Sequence, residues 1–120
     1  MRALLPLAVL LTSPALAEPW DCHFTVECIA SEACDAAAFE VTIIAADHEG
    51  QLFLSTVTGN SPLTRLTDQG DLPATYASAG RDGLAELLTV EADFSALLTL
   101  HIFDGSAQAA TYFGTCEVLE

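Results

Sequence analysis

The residues best equipped for chemistry are four cysteines, Cys22, Cys28, Cys34 and Cys116, and three histidines, His23, His48 and His101. Thiolate and imidazole are preferred zinc donors, but no Cys-x-x-Cys or His-x-x-x-His pair occurs, and an oxidised cysteine cannot ligate. An even cysteine count reads instead as two disulfides, provided the chain leaves the reducing cytoplasm. Asp68, Gly70 and Asp71 resemble a fragment of a calcium loop, yet the run stops at Pro73 without the alternating ligands an EF-hand needs. None of Ser55, Ser61, Ser78, Ser95 or Ser106 sits in a nucleophile elbow. A carboxylate pair such as Glu40 with Glu91 could do acid–base work only if buried together, and among 17 acidic residues chance pairs are expected. The expectation is a protein that is not an enzyme, with no catalytic residue, no cofactor and no metal.

The compartment follows from the start of the chain. Met1-Arg2 is followed by an apolar run to Leu11, a Thr-Ser-Pro break, and Ala15-Leu16-Ala17. A short basic start, an apolar stretch too short to span a bilayer, and small residues before a cut are the parts of a secretory signal peptide. This predicts residues 1–17 as a signal peptide and residues 18–120 as one domain, periplasmic or secreted. No later stretch is long and apolar enough for a membrane anchor. A domain of this length buries a modest fraction of its surface, so covalent staples matter.

The elements that must position these residues read as strands. In residues 84–104, Leu84, Leu88 and Val90 share one parity, with Glu86 as the exception, and Leu98, Leu100 and Ile102 share one against Thr99 and His101. Period two is the strand signature, and the block reads as a β-hairpin. Cys22, Phe24, Val26 and Cys28 alternate in a first strand, and Phe39, Val41, Ile43 and Ala45 in a second. Between them residues 29–38 read as a loop, with one helical turn over 31–37. Residues 51–58, 63–67 and 74–79 read as further strands, with Gly59-Asn60-Ser61-Pro62, the polar run 68–73 and Gly80-Arg81-Asp82-Gly83 as breaks; residues 107–118 close the chain. A helix over 74–88 is the competing reading, against which Gly80 and Gly83 would each cost about 1 kcal/mol. Connections this short force antiparallel neighbours. The expected fold is all-β, an eight-stranded antiparallel meander closing into a small barrel, with a two-sheet sandwich as the alternative.

Closure suggests how the cysteines pair. Four cysteines allow three connectivities. In a closed meander the last strand lies antiparallel to the first, which brings Cys116 beside Cys22 and leaves Cys28 for Cys34.

Charge narrows the partners. The chain carries a net −14 with no lysine, and Arg65 and Arg81 are the only arginines beyond the signal segment. Nucleic acid, which needs clustered cations, is excluded as a partner, and anionic membrane surfaces are disfavoured. A basic secreted protein such as a lysozyme-like hydrolase remains, met by carboxylates of the polar loops: Asp68, Asp71 and Asp82. The alternative is a small apolar ligand held in the barrel, with Trp20, Tyr76, Phe103, His101 and Tyr112 as contacts.

Thr111-Tyr112-Phe113-Gly114-Thr115-Cys116-Glu117, with the early Trp20-Asp21-Cys22, resembles a group of small, uncharacterised exported proteins of Gram-negative bacteria. That resemblance implies export and a disulfide-tied domain and brings no activity with it. In size and strand count the expected barrel is also similar to periplasmic inhibitors of lysozyme and of proteases, a likeness of fold alone.

Overall fold

The computed structural model describes residues 18–78, 84–103 and 105–119, and everything structural below refers to those residues. Residues 1–17, read from the sequence as a signal peptide, and Asp82 lie outside them. Eight strands, β1 (Trp20–Ile29), β2 (Asp35–Ile44), β3 (Leu52–Thr56), β4 (Gly59–Arg65), β5 (Ala74–Ser78), β6 (Leu84–Val90), β7 (Ser95–Phe103) and β8 (Ala107–Val118), follow one another around a closed barrel. Every neighbouring pair is antiparallel, including β1 with β8, which closes the ring. The sandwich and the helix over 74–88 do not form.

Period two explains the wall. Successive side chains alternate between interior and solvent, so one parity of each strand fills the centre. Trp20, Cys22 and Phe24 of β1, Val41 and Ile43 of β2, Leu52 and Leu54 of β3, and Leu63 of β4 point inwards and are buried. Tyr76, Leu88, Val90, Leu98, Leu100, Ala110 and Cys116 complete the core from the other half. Burying a side chain of Leu or Phe size contributes about 1.5–3 kcal/mol. Glu86 shares the inward parity and is buried, with its backbone N–H donating to Ser78 Oγ at 2.8 Å.

Two local readings need correction. Residues 29–38 are not all loop: β2 begins at Asp35, and Glu27 and Val26 pair with Asp35 and Ala36. The alanines of 36–38 hid this, since nothing in their size or polarity alternates. Gly59-Asn60-Ser61-Pro62 is not a break but the first half of β4. Pro62 pairs with Phe53 of β3, within a β3–β4 register that runs from Gly59 to Leu63.

The strongest walls are β7, β8, β1 and β2, which pair over most of their lengths. The Cys22–Cys116 disulfide joins residues directly opposite each other across the β1–β8 closure, with Cα atoms 4.0 Å apart. Cys28–Cys34 ties the turn between β1 and β2. A bulge between Phe24 and Val26 bends β1 against both neighbours. There β1 comes down on Gly114: a Cβ at that position would lie 2.0 Å from the His23 carbonyl oxygen and 2.6 Å from Phe24 Cα.

Candidate functional site

A strict up-and-down order places alternate connections at the same end of the barrel. The β2–β3, β4–β5 and β6–β7 connections therefore share one end with the start of β1 and the finish of β8. That end is closed by a buried polar clasp. Trp20 Nε1 donates to Tyr76 Oη at 3.0 Å, and the Tyr76 hydroxyl donates in turn to Glu18 Oε2. Arg65 binds the same carboxylate with two nitrogens, Nε to Oε2 at 3.1 Å and the second to Oε1. The Glu18 side chain is 4% exposed and that of Arg65 22%, so this is a desolvated, bidentate pair of the strong kind. Burial first, then the bond to Glu18, pushes the Tyr76 hydroxyl far above its usual pKa; the bond to Glu18 raises that of the Arg65 guanidinium. Phe94, at the β6–β7 turn, covers Trp20 with ring centroids 6.0 Å apart. Its backbone is left-handed, φ 67°, which costs a non-glycine residue about 1–2 kcal/mol. Its carbonyl accepts the Cys116 N–H at 2.8 Å, which holds the turn down on the sheet.

Around this closed end each connection carries two exposed acids: Asp47 and Glu49, Asp68 and Asp71, Glu91 and Asp93. Some of them also shape their own turns. Asp47 Oδ1 accepts from the N–H groups of Glu49 and Gln51 at 2.8 and 3.0 Å. Asp93 Oδ1 accepts from the Ser95 hydroxyl and N–H, which lower the pKa of its carboxyl in that order. Arg65 is the one Arg or Lys among the described residues, and it is turned inwards onto Glu18. His48, 3.6 Å from Glu49, is the only other basic side chain in these connections. The end is therefore a ring of carboxylates with its cation withdrawn.

Comparison of the chain with protein family models, curated proteins and solved structures gives no match. Function must be argued from this geometry.

The residues expected to matter separate into distinct places. Asp68 and Asp71 lie on the acidic end, whereas Asp82 lies outside the described residues. Trp20 and Tyr76 are core, with their polar atoms engaged by each other and by Glu18. Tyr112 faces inwards towards the other end, where its ring meets Phe39 at 4.9 Å and Phe24 at 6.3 Å and its hydroxyl donates to Glu27 Oε2 at 2.5 Å. His101 and Phe103 are exposed on the opposite parity of β7. Of the side chains proposed to hold an apolar ligand, Trp20 and Tyr76 are brought together in the core, Tyr112 lies towards the other end, and His101 and Phe103 face outwards.

The pairing of Glu18 with Arg65, and the gathering at one end of the acids of the β2–β3 and β6–β7 connections, escaped the sequence reading, which named Glu91 only in a pair with Glu40; Glu40 lies instead on the outer wall beside His23. Counting alternate turns would have found the second group, because an up-and-down order puts every other connection on one end. Pairing Glu18 with Arg65 needed the closed structure.

A second cluster sits on the outer wall. Asp21 and His23 share the outward parity of β1; Glu117 of β8 lies opposite Asp21, and Glu40 of β2 opposite His23. His23 Nε2 is 3.2 Å from Asp21 Oδ2 and its Nδ1 is 3.1 Å from Glu40 Oε1.

The two tyrosines, the only ones in the chain, offer a direct check of both interior polar sites. Burial and then the Glu27 carboxylate raise Tyr112 to about 12, and Tyr76 goes higher still. A raised phenol pKa means the folded state keeps its proton after the unfolded chain has lost it near pH 10. The stabilisation is complete below pH 10 and is lost as pH climbs through about 12. Absorbance at 295 nm should show neither tyrosine ionising at pH 10.5 in the native protein and both ionising in denaturant; normal native titration would refute the two contacts.

Proposed function

We propose that the protein is an exported, non-enzymatic binding module that docks a basic secreted protein, such as a lysozyme-like hydrolase, on its acidic end. One observation carries this reading: three connections bring two carboxylates each to the same end, and the one described Arg is held inside by Glu18. Opposite charge of this kind accelerates encounter and selects among partners. The rigid barrel and the Glu18–Arg65 clasp beneath the connections keep the carboxylates pre-positioned. Two disulfides are compatible with an oxidising compartment outside the cytoplasm, and the amino-terminal segment 1–17, read as a signal peptide, supports a periplasmic or secreted location.

The test is association and activity of a basic lysozyme with the oxidised protein over a range of salt. Binding should be strongest in dilute buffer and weaken steeply by 0.15 M salt, where exposed charges are screened beyond about 8 Å. The quadruple variant Glu49→Gln, Asp68→Asn, Asp71→Asn and Glu91→Gln should associate at least tenfold more slowly at low salt. No association in dilute buffer, or association indifferent to salt and to the variant, removes the proposal.

A further inference from the structure

The outer-wall cluster lies on the outer face of β1, β2 and β8 beside the acidic end, uses none of the acids of its three connections, and has the donors of a metal site. We propose that Asp21, His23 and Glu117 bind a divalent first-row transition ion of the zinc class, with Glu40 as the outer partner that orients the imidazole. Of the cysteine–histidine set discounted from the sequence this site keeps only His23; its other donors are carboxylates that the register of three strands brings together.

Asp21 and His23 stand two residues apart on β1 and so face the same way, and Glu117 is the direct cross-strand neighbour of Asp21. One donor atom from each lies within 4.8 Å of the other two. The 3.2 Å from His23 Nε2 to Asp21 Oδ2 is close to the roughly 3.3 Å that separates two ligands of a tetrahedral zinc ion. Small rotations of exposed Glu117 bring the third donor in. The remaining position belongs to water, or to a donor from a partner.

Three further features suit an ion. Glu40 holds His23 Nδ1 at 3.1 Å, and a carboxylate on Nδ1–H leaves Nε2 as the lone-pair nitrogen, the second-shell arrangement typical of metal-bound histidine. Asp21 and Glu117 are like charges placed directly opposite each other, a destabilising pair that a divalent cation turns favourable. Cys22 and Cys116, bonded on the opposite face of the same two strands, are the adjacent register pair, so the ligand-bearing strands cannot slip. One imidazole with carboxylates favours zinc, copper or nickel over calcium and magnesium, which take oxygen donors.

Calorimetric titration of zinc chloride into the oxidised protein tests this. The expected result is one zinc per chain, weakened more than tenfold by His23→Ala and by Glu117→Gln. Glu40→Gln should weaken it about tenfold. His48→Ala, which removes an exposed imidazole elsewhere, should leave it unchanged, and millimolar calcium should not displace the zinc. In the unaltered protein, zinc should shift the imidazole ring protons of His23 and leave those of His48 and His101 in place, which keeps the test independent of whether any variant folds. Absence of zinc binding, an isotherm unaltered by His23→Ala, or ring shifts confined to the other histidines would overturn the site.

Discussion

Replacing Cys22 and Cys116 together by alanine should lower the unfolding free energy by about 4.5 kcal/mol, because the bond closes a loop with a sequence separation of 94 residues. The chain-entropy argument gives the Cys28–Cys34 bond, with a separation of only 6, about 2.2 kcal/mol. For a domain of this size the first loss corresponds to a fall in melting temperature of roughly 20 °C. The contrast matters more than either value. Cys22 and Cys116 are buried inside the wall, while the second pair lies at a turn near the surface, so the long bridge also has core packing behind it. Thermal unfolding of the two double-alanine variants side by side checks this. Equal losses would mean that the β1–β8 closure holds without its covalent tie.

The second large effect is expected at Gly114. A methyl group there meets the His23 carbonyl oxygen at 2.0 Å and Phe24 Cα at 2.6 Å, and both are backbone atoms of the bulged part of β1. No side-chain rotation relieves such contacts, so the two closing strands must part. Gly114→Ala should cost about 3 kcal/mol, the upper range for overpacking. Gly105→Ala is the control: φ is 97° and nothing lies within 4 Å, so it should cost only the conformational term of about 1–2 kcal/mol. Melting of the Gly114 variant no lower than that of the Gly105 variant would show that the bulge gives way freely.

Much of the architecture was legible because alternation survives in the strands that form the core. Leu84, Leu88 and Val90, or Phe39, Val41 and Ile43, announce a two-residue period without help from distant residues, and the closing bridge followed once the strand count was right. The start of β2 was lost because Ala36, Ala37 and Ala38 carry no contrast between faces. The start of β4 was lost because Gly59 and Pro62 signal a turn when read locally, and only the pairing of that stretch with β3 shows it to be a strand. Of the acidic end, Asp68 and Asp71 were visible as a polar run. Their companions at Asp47, Glu49, Glu91 and Asp93 looked like ordinary turn residues until the shared end of the barrel gathered them. The outer-wall cluster was hidden for a related reason: Asp21, His23, Glu40 and Glu117 come from three strands, and their meeting depends on register.

The clasped closure also decides how the molecule responds to pulling and cutting. Tension applied at residues 18 and 119 reaches the Cys22–Cys116 bond after only a few residues of slack, so the load bypasses nearly all of the sheet between them. A single proteolytic nick in any connection between β2 and β8 likewise leaves both fragments tethered in register. Under traction or proteolysis the chain behaves as a hoop rather than a thread.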